Sequence, residues 1–160
     1  MPAQPEECAS SPRDDAIRLL ARREYSRAEL RERLSARGHE ASDILACLDD
    51  LAEQGLQSDA RFAESFLRSR IARGQGPLKI RAELERRGID REGIRAAFAA
   101  SEEAGEADWF ALACETLSRR FPGPGDTPRE RARRERFLAQ RGFDFDQLRH
   151  ALAHAWTSDD

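Results

Sequence analysis

His150 and His154 stand four residues apart, a spacing that puts two imidazoles on one helical face and suits a metal ion. No cysteine or carboxylate is placed to complete such a site, so two partly exposed histidines are the simpler reading. Cys8, Cys47 and Cys114 form an odd set without CxxC or CxH spacing. That argues against a disulfide framework or a zinc site and fits a reducing compartment. Gly74-Gln-Gly76-Pro77 is too short for a phosphate loop, and no strand precedes it. No Ser–His–Asp order is persuasive. The expectation is therefore a protein that is not an enzyme and holds no cofactor and no metal.

The basic residues are more informative. Arg61, Ser65, Arg68 and Ala72 share a helical face opposite Ala63 and Phe66. Arg73 follows, beside a flexible Gly74-Gln-Gly76. Lys79, Ala82 and Arg86 share a face away from Ile80 and Leu84. The corresponding residues of an earlier segment are Glu29, Glu32 and Ala36, so one scaffold position is basic in one copy and acidic in another. A purely structural role does not require that reversal. Arg70 projects into the apolar arc of Phe62, Phe66 and Leu67, where it snorkels or pairs with a carboxylate. Arg61, Arg68, Arg70, Arg73, Lys79 and Arg86 are the candidate binding residues. The run Arg129, Arg131, Arg133, Arg134 and Arg136 is diluted by Glu130 and Glu135 and reads as a solvated face. Trp109 and Trp156 read as core.

Helices must position these groups. Ala, Leu, Arg and Glu dominate, valine is absent, and no alternating strand pattern is present. Ser26–Glu29 and Thr127–Glu130 have the capping-box pattern, the latter with Pro128 at the first helical position. Gly76-Pro77 opens a third helix in the corresponding place. Gly38, Gly88 and Gly142 end these three helices, and Ser42, Asp90 and Asp144 are the expected caps of the helices that follow. Each glycine follows an arginine (Arg37, Arg87, Arg141). Each has a leucine four residues earlier (Leu34, Leu84, Leu138). Six residues after it comes Ile44, Ile94 or Leu148, and ten after it Leu48, Phe98 or Leu152. The glycines are 50 and then 54 residues apart, the mark of a tandem helical array.

Each copy also has a leading helix: about Asp14–Arg23 with Ile17 and Leu20 inward, Asp59–Ala72 with Phe62, Phe66 and Ile71 inward, and Ala107–Phe121 with Trp109, Leu112 and Leu117 inward. Polar breaks at Gln57-Ser58 and Ser101–Gly105 separate three three-helix repeats, at 14–56, 57–100 and 106–156. The flanks, 1–13 and 157–160, are read as tails. The loop Pro122–Thr127 lengthens the third copy.

Composition agrees with thin helical layers. Of 160 residues, 39% are apolar and 36% charged, the latter well above an ordinary globular share. The net charge of −3 is unevenly spread. Residues 1–55 carry eight arginines against twelve acids, 56–99 ten bases against six acids, and 100–160 nine arginines against twelve acids. A basic middle suits a partner that presents acidic groups. No apolar run is long enough to span a membrane, and the polar, acid-bearing N-terminus is no secretory signal.

These residues resemble the RecX regulators of the RecA recombinase. The resemblance covers about residues 14–156. Its most specific stretch is the middle repeat: Asp59-Ala-Arg-Phe-Ala-Glu-Ser-Phe66, Arg68-Ser-Arg70, and Gly74-Gln-Gly-Pro-Leu-Lys-Ile-Arg-Ala-Glu-Leu-Glu-Arg-Arg-Gly-Ile89. The first repeat contributes Leu19-Leu-Ala-Arg-Arg-Glu-Tyr-Ser-Arg-Ala-Glu-Leu30 with Leu34 and Gly38, and the third Phe137-Leu-Ala-Gln-Arg-Gly-Phe-Asp-Phe-Asp-Gln-Leu148. The resemblance implies an all-α fold, an elongated, curved array of three tandem three-helix units. It implies a cytoplasmic protein lying in the groove of the RecA–single-stranded-DNA filament. There it would restrain ATP hydrolysis, strand exchange and coprotease activity and favour disassembly. A monomer suits such a groove, and bare single- or double-stranded DNA is a further expected partner. The rival expectation is a DNA-binding protein that acts without RecA, since three-helix modules can set a helix against a duplex.

Overall fold

The computed structural model describes residues 9–157. Among them are nine α-helices and no strand: α1 (Pro12–Leu20), α2 (Arg27–Ala36), α3 (Ala41–Glu53), α4 (Asp59–Ala72), α5 (Pro77–Arg86), α6 (Arg91–Glu103), α7 (Trp109–Arg120), α8 (Pro128–Arg141) and α9 (Phe145–His154). They fall three to a repeat. Cys8 and most of the two expected tails lie outside the described residues. Within 9–13 the helix starts earlier than the tail reading allows. Ser11 caps α1 by accepting from the Asp14 N–H, and Pro12 occupies the first turn, where its missing N–H costs nothing.

The punctuation signals act as their chemistry dictates. Thr127 and Glu130 form a reciprocal capping box, and Asp144 with Gln147 forms another. Asp90 accepts from the Gly93 N–H. Ser26 accepts from the Glu29 N–H, while the Glu29 carboxylate receives the Arg23 guanidinium at 2.7 Å. Ser42 is not a cap. The third helix begins at Ala41 after Glu40, whose side chain makes no capping bond, which leaves Ser42 inside the first turn.

The chain divides into two compact units, one ending at Phe62 and one starting at Ala63. The first is built on Ala16, Tyr25, Leu30, Leu34, Ile44, Leu48 and Leu51. Ile17, expected inward, is 40% exposed, and Ala16 and Asp15 turn inward in its place. The bonds from His39 and Ser10 to Asp15 hold that side of α1 inward. The polar break at Gln57 is held in place. It is buried, and its amide donates to the Tyr25 carbonyl and to Asp59 Oδ1.

The second unit contains most of α4 through α9. Leu84 and Leu138, the leucines four residues before the repeat glycines, are fully buried, as is Leu34 in the first unit. The third repeat closes over Ala113, Leu117, Phe121, Leu138, Phe143, Leu148 and Ala151. Trp156 packs there and donates its indole N–H to the Phe121 carbonyl at 3.0 Å. Trp109 is half-buried and lies against Phe98, ring centroids 5.8 Å apart. Arg134, expected on a solvated face, is buried. Its Nε donates to the Gly123 carbonyl at 2.7 Å, a terminal nitrogen donates to the Glu130 carbonyl at 2.9 Å, and its guanidinium covers Phe121. An arginine can be buried when its donors find carbonyls, and this one ties down the Pro-Gly-Pro-Gly loop.

Repeats two and three are joined by backbone. The Gly76 N–H donates to the Arg141 carbonyl at 2.7 Å, and the Leu78 N–H to the Gly142 carbonyl at 2.9 Å. A methyl group on Gly76 would overlap the Gly142 carbonyl, and one on Gly142 would overlap Lys79. The Gly74-Gln-Gly76 turn is thus a clasp, not a flexible hinge.

Candidate anion-binding cleft

The clasp sets the end of α4 beside α7 and α8. Between them lies a cleft of about 560 Å³, lined by Ile71, Arg73, Thr116, Arg119, Arg120 and Arg141 among others. Four arginines face it against one carboxylate, Glu115, which pairs with Arg119 at 2.5 Å. Apolar backing comes from Leu112 and Phe137. The Arg141 guanidinium lies 5.2 Å from the Phe137 ring centre and donates to the Arg73 carbonyl at 3.3 Å. Arg120 stacks over Phe121 at 4.8 Å. Guanidiniums backed by rings are pre-oriented and present planar donor forks, the geometry that suits phosphate or carboxylate oxygens. Gly74, with φ at 74°, lets the chain pass close to Thr116 at the cleft wall.

The six residues singled out from sequence fare differently. Arg73 lines this cleft. Arg68 is 54% exposed and stands 3.6 Å from Glu106, a loose surface pair. Arg86 is exposed, while Lys79 is half-buried with its stem against Gly142. Arg61 belongs to the first unit, where it pairs with Glu24 at 3.1 Å and donates to the Gly55 carbonyl at 2.7 Å. Arg70 is only 17% exposed. Its Nε sits 3.3 Å from Glu83 and its guanidinium 4.6 Å from the Phe66 ring centre. These two arginines are engaged within the fold. Arg119, Arg120 and Arg141, which also line the cleft, are not among those six. Arg119-Arg120 closing one helix and Arg141 closing the next are adjacent only through the clasp, although Arg141's place before a repeat glycine was visible.

Cys47, Cys114, His150 and His154 lie outside the lining of the cleft. Burial raises the Cys47 and Cys114 thiols above their ordinary range, which disfavours the thiolate form. His150 and His154 have ring centroids 4.6 Å apart, and His150 meets Phe110 edge-on. No group of three or more His, Cys, Asp or Glu able to hold a metal occurs among the described residues. None of the described helices is long and apolar enough to cross a membrane.

Comparison with known proteins places this architecture. Residues 13–51, 58–97 and 106–152 match the family models for the first, second and third three-helix domains of RecX. The Regulatory protein RecX of Chromohalobacter salexigens is 65% identical over 148 residues, covering 92% of this chain and 94% of that protein. That of Halorhodospira halophila is 45% identical over 150 residues, covering 92% and 90%. The crystal structure of RecX from Lactobacillus salivarius superposes with a TM-score of 0.71 at 20% identity, over 90% of this chain and 94% of that one.

Proposed function

The chain belongs to the RecX family of regulatory proteins, and from that premise we propose that it binds the groove of the RecA–single-stranded-DNA filament and restrains its ATPase, strand-exchange and coprotease activities. It acts by occupancy, not by chemistry, as a cytoplasmic monomer. The observation that carries the reading is the cleft of Arg73, Arg119, Arg120 and Arg141. The filament presents phosphates and acidic side chains, and four guanidiniums against the single carboxylate of Glu115 suit such groups. Arg68, Lys79 and Arg86 remain proposed contacts around it. Arg61 and Arg70 remain proposed contacts too, with side chains that also pair with Glu24 and Glu83.

The test is the single-stranded-DNA-dependent ATPase of the cognate RecA, titrated with an Arg119→Ala, Arg120→Ala variant. Both side chains are exposed, so the fold should survive, as a thermal melt would verify. Loss of two charge-assisted contacts is worth about 1.5–3 kcal/mol each. The concentration for half-inhibition should therefore rise tenfold or more. A folded variant that inhibits within twofold of the parent would remove the cleft from the mechanism.

A further inference from the structure

The cleft of the third repeat has a counterpart in the first. One fully buried alanine marks the register of each leading helix: Ala16, Ala63 and Ala113. Six residues on stand Arg22, Ser69 and Arg119. Three residues on stand Leu19, Phe66 and Thr116. The second helix of each repeat brings Arg37, Arg87 or Arg141 one residue before its glycine, and Arg33, Glu83 or Phe137 five before.

In the second repeat this place is closed. Phe66 fills it at 9% exposure, Arg70 pairs with Glu83, and the Arg70 and Arg87 guanidiniums both lie over the Phe66 ring, at 4.6 and 5.0 Å. In the first repeat it is open, a cleft of about 220 Å³ between α1 and α2 lined by Arg18, Arg22, Arg33 and Arg37 around Asp15. Asp15 offsets the charge of Arg18 and Arg37 only in part. Its oxygens already take His39 Nε2 at 2.7 Å and Ser10 Oγ at 2.8 Å, and Arg18 stands off at 3.9 Å. Arg22 and Arg33 have no carboxylate at ion-pair distance among the described residues.

We propose that this α1–α2 cleft is a second phosphate-binding cradle, and that it takes phosphodiester groups of single-stranded DNA. Four guanidiniums around one carboxylate leave an excess of positive charge that an anion relieves. A carboxylate engages one guanidinium fork, whereas a phosphate offers oxygens to several at once. The volume suits a phosphate group with a few waters, at about 30 Å³ per water. The proposal extends the filament reading by naming the chemical class that the first repeat engages. It rests on that reading only for the choice of single-stranded DNA.

The test uses the full chain, a fluorescent oligothymidylate and no RecA, with binding followed by anisotropy over a salt series. Arg22→Ala with Arg33→Ala should weaken binding about tenfold or more. It should also make the log–log salt slope shallower by about 1.4, since each lost phosphate contact on a single strand removes about 0.7. Arg31→Ala, exposed on the same helix outside the cleft, should change neither by more than about one contact's worth. Wild-type affinity and slope in the double variant would overturn the proposal. So would an equal loss in Arg31→Ala, which would signify diffuse charge. If the parent does not bind the oligonucleotide while the double variant still loses ATPase inhibition, the cleft serves an acidic protein surface and the phosphodiester assignment falls. Because RecA is absent from the binding assay, failure here and failure of the filament reading are separately visible.

Discussion

Asp15 shows how much one side chain decides. It is buried at 4% exposure in the first turn of α1, where a carboxylate suits the positive helix end. The hydrogen bond from His39, then that from Ser10, holds its carboxyl below the ordinary 3.8, with the charge of Arg37 acting in the same direction and burial opposing. A carboxyl whose folded pKa is lowered favours the folded state once it is ionised in the unfolded chain too. Its contribution is complete above about 3.8 and disappears as pH falls through the folded value. Asp15→Asn should therefore be less stable than the parent at neutral pH, with the gap narrowing below pH 3.8. Urea denaturation at pH 7 and through the acid range measures it. A gap that stays constant through that range would contradict the assignment. At this scale the sequence is least legible. Arginine normally marks surface, so neither Arg134 under the Pro-Gly-Pro-Gly loop nor the Arg70–Glu83 pair could be distinguished from solvated charge. Only the apolar surroundings of Arg70 hinted at its partner.

Elements were far more legible, because their signals are local. Thr127-Pro128-Arg-Glu130 specifies a helix start by satisfying backbone N–H groups within four residues, and the repeat glycines specify helix ends. What local signals cannot show is that the three glycines differ. Gly38 and Gly142 have the same left-handed backbone, with φ at 88° and 95°. A methyl group at Gly38 meets open space, whereas at Gly142 it overlaps Lys79. Gly38→Ala should cost about 1 kcal/mol, the strain of the left-handed conformation alone. Gly142→Ala should cost at least about 2 kcal/mol more, the range of overpacking, because it also forces apart the Gly76–Arg141 backbone clasp. Denaturant unfolding of both variants of the full chain compares them. Equal losses would mean that the clasp contributes nothing.

At the scale of the whole molecule, charge counts draw attention to the basic middle repeat, and the structure adds arginine clefts outside it. The middle repeat engages several of its arginines internally. Arginine-lined clefts lie in the first unit and at the junction of repeats two and three, and a third, with Arg81, Arg91 and Arg95 beside Glu85 and Asp90, lies in the middle repeat. Summed charge over a third of the chain conceals this, since the outer thirds are acidic overall yet contribute clustered guanidiniums to the first two clefts. The family was legible because it resides in the order of caps, glycines and leucines. The arginine clefts were not, because they depend on which helix ends meet.

The proposed regulation at the filament is tested most directly by two titrations of the intact protein, side by side at one salt concentration. One follows the single-stranded-DNA-dependent ATPase of the cognate RecA. The other follows binding to the same DNA without RecA. Inhibition at concentrations well below those that coat bare DNA is the expected result. Inhibition that begins only where bare DNA is already saturated would contradict the account and make the protein a DNA-binding protein that acts without RecA.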